Sequence, residues 1–329
     1  MRPVLRRRAL AALASLAIPG ALAQPRTRQV KRIRRVSIFF FGTPANSRTR
    51  REAFTKAMQD LGYVDARTVR YDWRYANGQP DLVVRNAREL AQEITDVIVA
   101  FSTGNSQALR DAGVTTPVVM IAVDDPVRAG FAQDLSRPGM NFTGMTTNMV
   151  AQAPRYVDLL HEALGRGSVF GLLATPASTT YKLFRSRVEE HASRRNIRIA
   201  PLDASTPQEM ERVLAHGPEM QGLIVTSDAM YYTERRRIVE LTSERTLPTI
   251  FPRFGFVEAG GLMSYAPNDE YLATRASSFV ARILEGDSPS EMPVEGPTRY
   301  ELSVSRKAAQ ALGLKLPAAF LQKADRVVA

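Results

Sequence analysis

Two stretches of the chain share one pattern of hydrophobic and polar positions. Val36–Gly62, VSIFFFGTPANSRTRREAFTKAMQDLG, opens with a short apolar run rich in β-branched and aromatic residues, turns at Thr43-Pro44-Ala45 and continues as a polar run with helical periodicity. From Val169 the pattern returns as VFGLLATPASTTYKLFRSRVEEHASRRN, with Thr175-Pro176-Ala177 at the turn. Each copy predicts strand, turn and helix, and each opens further alternation of the same kind. In the first half, strands are expected at 36–41, 69–75, 97–101 and 118–123, with helices at 48–61, 81–91 and 106–112. In the second half, strands are expected at 169–174, 197–202, 222–226, 249–251, 260–265 and 299–304. The helices there fall at 153–163, 181–194, 207–215, 233–244 and 271–284. Asn141–Met145 reads as a strand leaving the first half. This spacing implies βαβ units and mostly parallel sheets. The expected fold class is therefore α/β, with two Rossmann-like lobes facing each other across a cleft.

In such sheets the turn after each strand lies at its carboxyl end, where ligands bind, and the next helix points unpaired N–H groups into the same crevice. Candidate ligand-binding residues follow from that placement. After the first strand come Thr43, Asn46 and Ser47, which could hold a carboxylate or cap the helix. After the third come Ser102 and Thr103, beside a glycine that lets a ligand approach the backbone. Asp124-Asp125-Pro126 ends the fourth strand; one acid could receive a ligand ammonium while the other caps a turn, and Asp124 is the one expected to face the ligand. Thr175, Ser178 and Thr179 mirror the first site, and Ser227 and Asp228 mirror the second. Met230, Tyr231, Tyr232, Phe251 and Phe254 could form an apolar wall, although aromatics near strand ends more often pack in a core; of these, Phe251 is taken into the candidate site.

Charge changes the picture once it is located. The net charge is +11, but residues 1–35 carry ten Lys/Arg and no acid, leaving 34 basic against 33 acidic residues in the remainder. A nearly neutral body removes the basic-face argument for nucleic acid. Met1–Arg8 is a basic n-region, Ala9–Ile18 a short apolar h-region and Ala21-Leu22-Ala23 a small-x-small cleavage site, the form of a secretory signal cleaved after Ala23. Arg7-Arg8 is compatible with the twin-arginine route, and the general secretory route is the expected one. Gln24–Arg35 reads as a basic flexible leader. With no Cys, neither a disulfide framework nor a lipidated cysteine is available, so an exported, unanchored protein of the periplasm is expected.

Enzymatic chemistry finds little support. The three histidines, His161, His191 and His216, all fall on predicted helices or their ends. No zinc cluster, thiol nucleophile, dinucleotide fingerprint or phosphate-binding loop is present in the sequence.

FVEAGGLMSYAPN and RILEGDSPSEMPVEGPTRYELSVSRKAAQALGLKLP closely resemble the end of the ABC-transporter substrate-binding family that includes tryptophan-binding TrpX-like proteins. AFTKAMQDLGYVD, DVIVAFST and VVMIAVDDPVRAGFAQDLSRPGMNFTGMT extend the resemblance over nearly all of the chain after the leader. It implies a type I periplasmic-binding-protein fold with a three-segment hinge, no enzymatic activity and no cofactor or metal. On that pattern lobe 1 takes 36–145 and about 266–290, and lobe 2 takes 146–265 and about 291–329. The implied role is delivery of a small ligand, an amino acid (aromatic ones included) or a related carboxylate, to an ABC permease in the inner membrane. The protein itself is expected to be a monomer that does not span the membrane. Gly42–Ser47 and Arg253–Glu258 are this chain's own versions of two variable places, so the family's ligand is not carried over. The alternatives are a periplasmic sensing module for a membrane receptor and an exported hydrolase, which would convert its bound compound.

Overall fold

The computed structural model describes residues 32–165, 167–178 and 180–329. The expected signal peptide and most of the expected leader lie outside them.

The first lobe is built from β1 (Arg34–Phe40), α1 (Arg48–Asp60), β2 (Val69–Tyr75), α2 (Pro80–Gln92), β3 (Val97–Phe101), α3 (Thr103–Asp111), β4 (Val118–Val123) and β5 (Phe142–Thr146). Its five strands run parallel in the order β2-β1-β3-β4-β5. Parallel sheets are covered on both faces, so the central strands β3 and β4 are apolar at every position and the two faces are separated by alternation. Ile38, Phe40, Val97, Val99, Phe101, Val119 and Ile121 pack with Phe54 and Met58 of α1. Phe39, Ile98, Ala100, Val118 and Met120 pack on the opposite side, with Val83, Ala87 and Leu90 of α2 and Leu109 of α3.

The second lobe follows with α4 (Met149–Leu164), β6 (Val169–Ala174), α5 (Tyr181–Ser193), β7 (Arg198–Asp203), α6 (Pro207–His216), β8 (Gly222–Val225), α7 (Ala229–Thr233), α8 (Arg235–Glu244), β9 (Thr249–Phe251), α9 (Phe254–Glu258) and β10 (Met263–Ala266). The chain then crosses to α10 (Asp269–Glu285), whose Leu272, Ala276, Phe279 and Val280 belong to the first lobe's core. It returns to β11 (Glu301–Ser305), α11 (Arg306–Ala311), α12 (Ala318–Gln322) and β12 (Arg326–Val328). The seven-stranded order is β12-β11-β10-β9-β8-β6-β7, with β11 antiparallel to β10.

The chain thus crosses between lobes three times: after β5, after β10 and along residues 286–300. The first and third crossings run side by side, joined by a parallel bridge between Met145 and Glu295. Tyr300 donates to the Thr147 carbonyl at 2.5 Å and stacks on Tyr265, while Asn268 donates to Glu301.

Several elements differ from expectation. β1 begins at Arg34 because Arg35 N–H donates to Asp96 and the Arg34 guanidinium reaches Asp96 and the Leu284 carbonyl, so the expected leader does not extend to Arg35. β5 does not leave the lobe; it is the fifth strand of the sheet, in register with β4. α3 starts three residues early, capped by the Ser102 hydroxyl. The helix expected at 233–244 is α8, which starts two residues later, and α7, α9, α12 and β12 were not anticipated.

Candidate functional site

The carboxyl ends of the parallel strands in both lobes open onto one cleft of about 550 Å³. Gly42 and Asn46 reach it after β1, Ser102 to Asn105 after β3, and Asp124 after β4. From the second lobe come Thr175 and Ser178 after β6, Ser227 and Asp228 after β8, and Arg253 after β9. Two non-glycine residues here have left-handed φ: Ser102 (+100°) and Ala122 (+61°), the latter at an irregularity in the β4–β5 register. Such conformations persist only where the surroundings enforce them, and both residues line the cleft.

The expected residues divide by role. Ser102 accepts from Asn105 N–H at 3.4 Å, while Asn105, itself fully buried, donates its amide to the Phe39 carbonyl and leaves Oδ1 without a partner among the described residues. Asp228 accepts from Met230 N–H at 2.7 Å and from the Thr175 hydroxyl at 2.9 Å. Ser178 and Thr180 hydroxyls lie 3.2 Å apart, and Ser227 and Thr103 line the wall. Thr179 lies outside the described residues.

Three expected residues do not reach the cleft. The Thr43 hydroxyl accepts from Asn46 N–H within its own turn. Ser47 is fully buried at the start of α1, with its hydroxyl unpartnered and no side-chain cap bond. Phe251 is also fully buried, stacked on Phe256 at 4.6 Å in the core. Alternation explains Phe251: Ile250 packs on one face of a sheet covered on both sides, so Phe251 points into the other. Tyr231 is likewise core, donating its hydroxyl to the Ala204 carbonyl.

Asp124 does face the cleft, yet it also caps. Its Oδ1 accepts from Met149 N–H at 2.6 Å and Val150 N–H at 3.3 Å, tying the end of β4 to the start of α4 across the first crossing. Asp125 caps its own turn by accepting from Arg128 N–H. Burial raises the pKa of both Asp124 and Asp228 above the ordinary carboxylate value, outweighing the donors that favour the charged form.

Sequence reasoning missed the cations. The Arg50 guanidinium carbon lies 5.6 Å from the Phe40 ring centroid, 5.5 Å from Phe101 and 4.9 Å from Tyr232, so rings of both lobes enclose it. This desolvation, followed by repulsion from Arg253, lowers its pKa to about 10. Arg235 and Arg253 lie over the same Tyr232 ring at 4.7 and 5.2 Å. Arg235 donates to Asn46 Oδ1 at 3.2 Å, a direct hydrogen bond from the second lobe to the first. A signal for Arg50 was available: it stands four residues before Phe54, at the head of the stripe Phe54, Ala57 and Met58 that α1 buries. None of the three histidines lines the cleft.

Two α/β lobes, three crossings and a cleft between strand ends define the architecture of a type I periplasmic binding protein. The chain belongs to the ABC transporter substrate binding protein family, whose pattern matches residues 37–328. It is 24% identical over 266 residues, 80% of this chain and 76% of the other, to the tyrosine-binding protein of Clostridioides difficile (strain R20291). Among solved structures, an ABC domain in complex with L-Trp from Streptococcus pneumonia gives a TM-score of 0.83 at 21% identity, covering 90% of this chain and 100% of that one. A conserved domain protein from Vibrio cholerae gives 0.81 at 22% identity over 89% and 99%. The family and the tyrosine-binding relative are solute-binding proteins rather than enzymes. No helix among the described residues is long and apolar enough to cross a membrane.

Proposed function

We propose that this protein is the periplasmic solute receptor of an ABC importer, trapping an amino acid or related carboxylate between its lobes and presenting it to the permease. The observation that carries this reading is the shared cleft, into which strand ends and helix starts of both sheets project while only three segments join the lobes. The ligand docks on Asn46, Ser102, Thr103 and Asp124 of one lobe; Thr175, Ser178, Ser227 and Asp228 then close over it as the crossings flex. Closure is favoured only to the extent that the ligand binds the closed form more tightly, and the permease reads that shift. The names of the tyrosine-binding relative and the L-Trp complex support an amino-acid-like solute.

A thermal-shift screen of amino acids, aromatic acids and short carboxylates tests this, because a ligand bound only by the folded state raises the melting temperature, by about 2.7 kcal/mol of stabilisation at a hundredfold excess over Kd. X-ray scattering should then show compaction with the hit, and the compound should be recovered intact. Turnover of the compound, or binding without any compaction, would overturn the proposal.

A further inference from the structure

The charge arrangement around Tyr232 narrows the ligand class, an inference that rests on the solute-receptor reading above. Three guanidiniums, those of Arg50, Arg235 and Arg253, converge on one ring. Arg253 pairs with Asp269 at 3.4 Å, and Arg235 is held by the neutral oxygens of Asn46 and the Tyr232 backbone. Arg50 makes ring contacts but no hydrogen bond or ion pair with any described residue. A guanidinium enclosed by rings without an acceptor is an incomplete site, since its planar fork matches a carboxylate in two parallel bonds.

The acids that could receive a ligand ammonium are already engaged. Asp124 holds the first N–H groups of α4, and Asp228 holds Met230 N–H and the Thr175 hydroxyl. Asp111 accepts from the Gln107 amide at 2.8 Å and pairs with Arg110. An ammonium entering this cleft would meet the guanidiniums of Arg50, Arg88 and Arg253, which line it, and carboxylates that already accept from donors of the protein. Among the buried side-chain atoms of the described residues lining the cleft, Asn105 Oδ1 is the acceptor left without a partner, and a neutral oxygen of this kind suits a hydroxyl donor rather than a full positive charge.

We propose that the physiological ligand is a carboxylate without an ammonium group, its carboxylate held by Arg50 and a neutral donor, such as a hydroxyl, received by Asn105. The same arrangement makes closure conditional on the anion. Bringing Tyr232 over Arg50 strips water from an unpaired cation, and the ligand carboxylate offsets that loss.

The test uses the full chain and matched sets that differ only at one substituent: L-phenylalanine, L-3-phenyllactate and 3-phenylpropionate, with L-alanine, L-lactate and propionate as a smaller skeleton. Calorimetry should give the hydroxy acid and the unsubstituted acid at least roughly tenfold tighter binding than the amino acid of the same skeleton. Arg50→Met should abolish binding of those acids, and Arg50→Lys should retain part of it. An amino acid that binds as tightly as its deaminated counterpart overturns the proposal, as does failure of both sets to bind or unchanged affinity in Arg50→Met. The comparison on the unaltered chain stands even if Arg50→Met folds poorly. If a neutral solute or a zwitterion closes the lobes instead, this inference falls while the solute-receptor reading survives. If no solute compacts the protein, both fall.

Discussion

At the scale of single residues, Asp124 combines two demands that pull its ionisation in opposite directions. The N–H groups of Met149 and Val150 favour the carboxylate, whereas burial favours the acid and prevails, so the folded-state pKa is raised. A raised carboxyl pKa means that the group's favourable contribution is complete below the unfolded value, near 3.9, and is lost as pH rises through the folded value. Asp124→Asn keeps an acceptor for both N–H groups without a charge to desolvate. Its melting temperature should match or exceed that of the unaltered chain at pH 7, and the unaltered chain should gain on it as the pH falls towards 4. Calorimetric melts across that range check the sign; a gap that widens on acidification refutes it. The hydroxyl and acid positions after the strands were legible because turn chemistry is local. Phe251 was misplaced because which face of an interior strand is core depends on what covers that face, and Ser47 because its burial at the start of α1 is set by how that helix packs.

Between elements, the junction of β4 with β5 decides how the first lobe meets its hinge. Gly144 has φ +128°, and a Cβ added there would lie 2.2 Å from the Met120 carbonyl oxygen and 2.7 Å from Met120 N. Both obstacles are backbone atoms of the neighbouring strand, which cannot swing aside. Gly144→Ala should therefore lose about 3 kcal/mol or more, as strain and overpacking add, with a lower urea midpoint as the readout. A loss below about 1 kcal/mol would mean that β5 can shift against β4. The helix and strand order was read from periodicity, because both lobes bury alternate strand faces against amphipathic helices. The membership of β5 in the first sheet was not, since nothing in a five-residue strand that mixes Thr and Gly with Phe and Met names its neighbour.

For the whole molecule, the contact between Arg235 and Asn46 joins the two lobes directly across the cleft. Removing it with Arg235→Ala should bias the unliganded protein towards open conformations, raise its radius of gyration and weaken ligand binding roughly fivefold, the equivalent of about 1 kcal/mol lost from the closed state. Scattering and calorimetry read the two effects separately, and no change in either would show that this bond does not help hold the lobes together. α10 adds a second whole-chain feature. It follows the second lobe's β10 in sequence yet completes the first lobe's core with Leu272, Phe279 and Val280, so the lobes cannot be separated by cutting the chain once.

The sequence alone determined the repeated strand–turn–helix grammar, the near-neutral body behind a basic start, and the placing of small polar residues where parallel strands end. Each of these is a local pattern, written in periods of two and 3.6 residues and in turn chemistry. Only the tertiary structure decided that Arg50 turns into the cleft among Arg48 and Arg51, that three guanidiniums meet on Tyr232, and that Asp124 is engaged at the hinge. Those facts join residues up to about two hundred positions apart, and such proximity is set by how two lobes close on each other rather than by any neighbour in the chain.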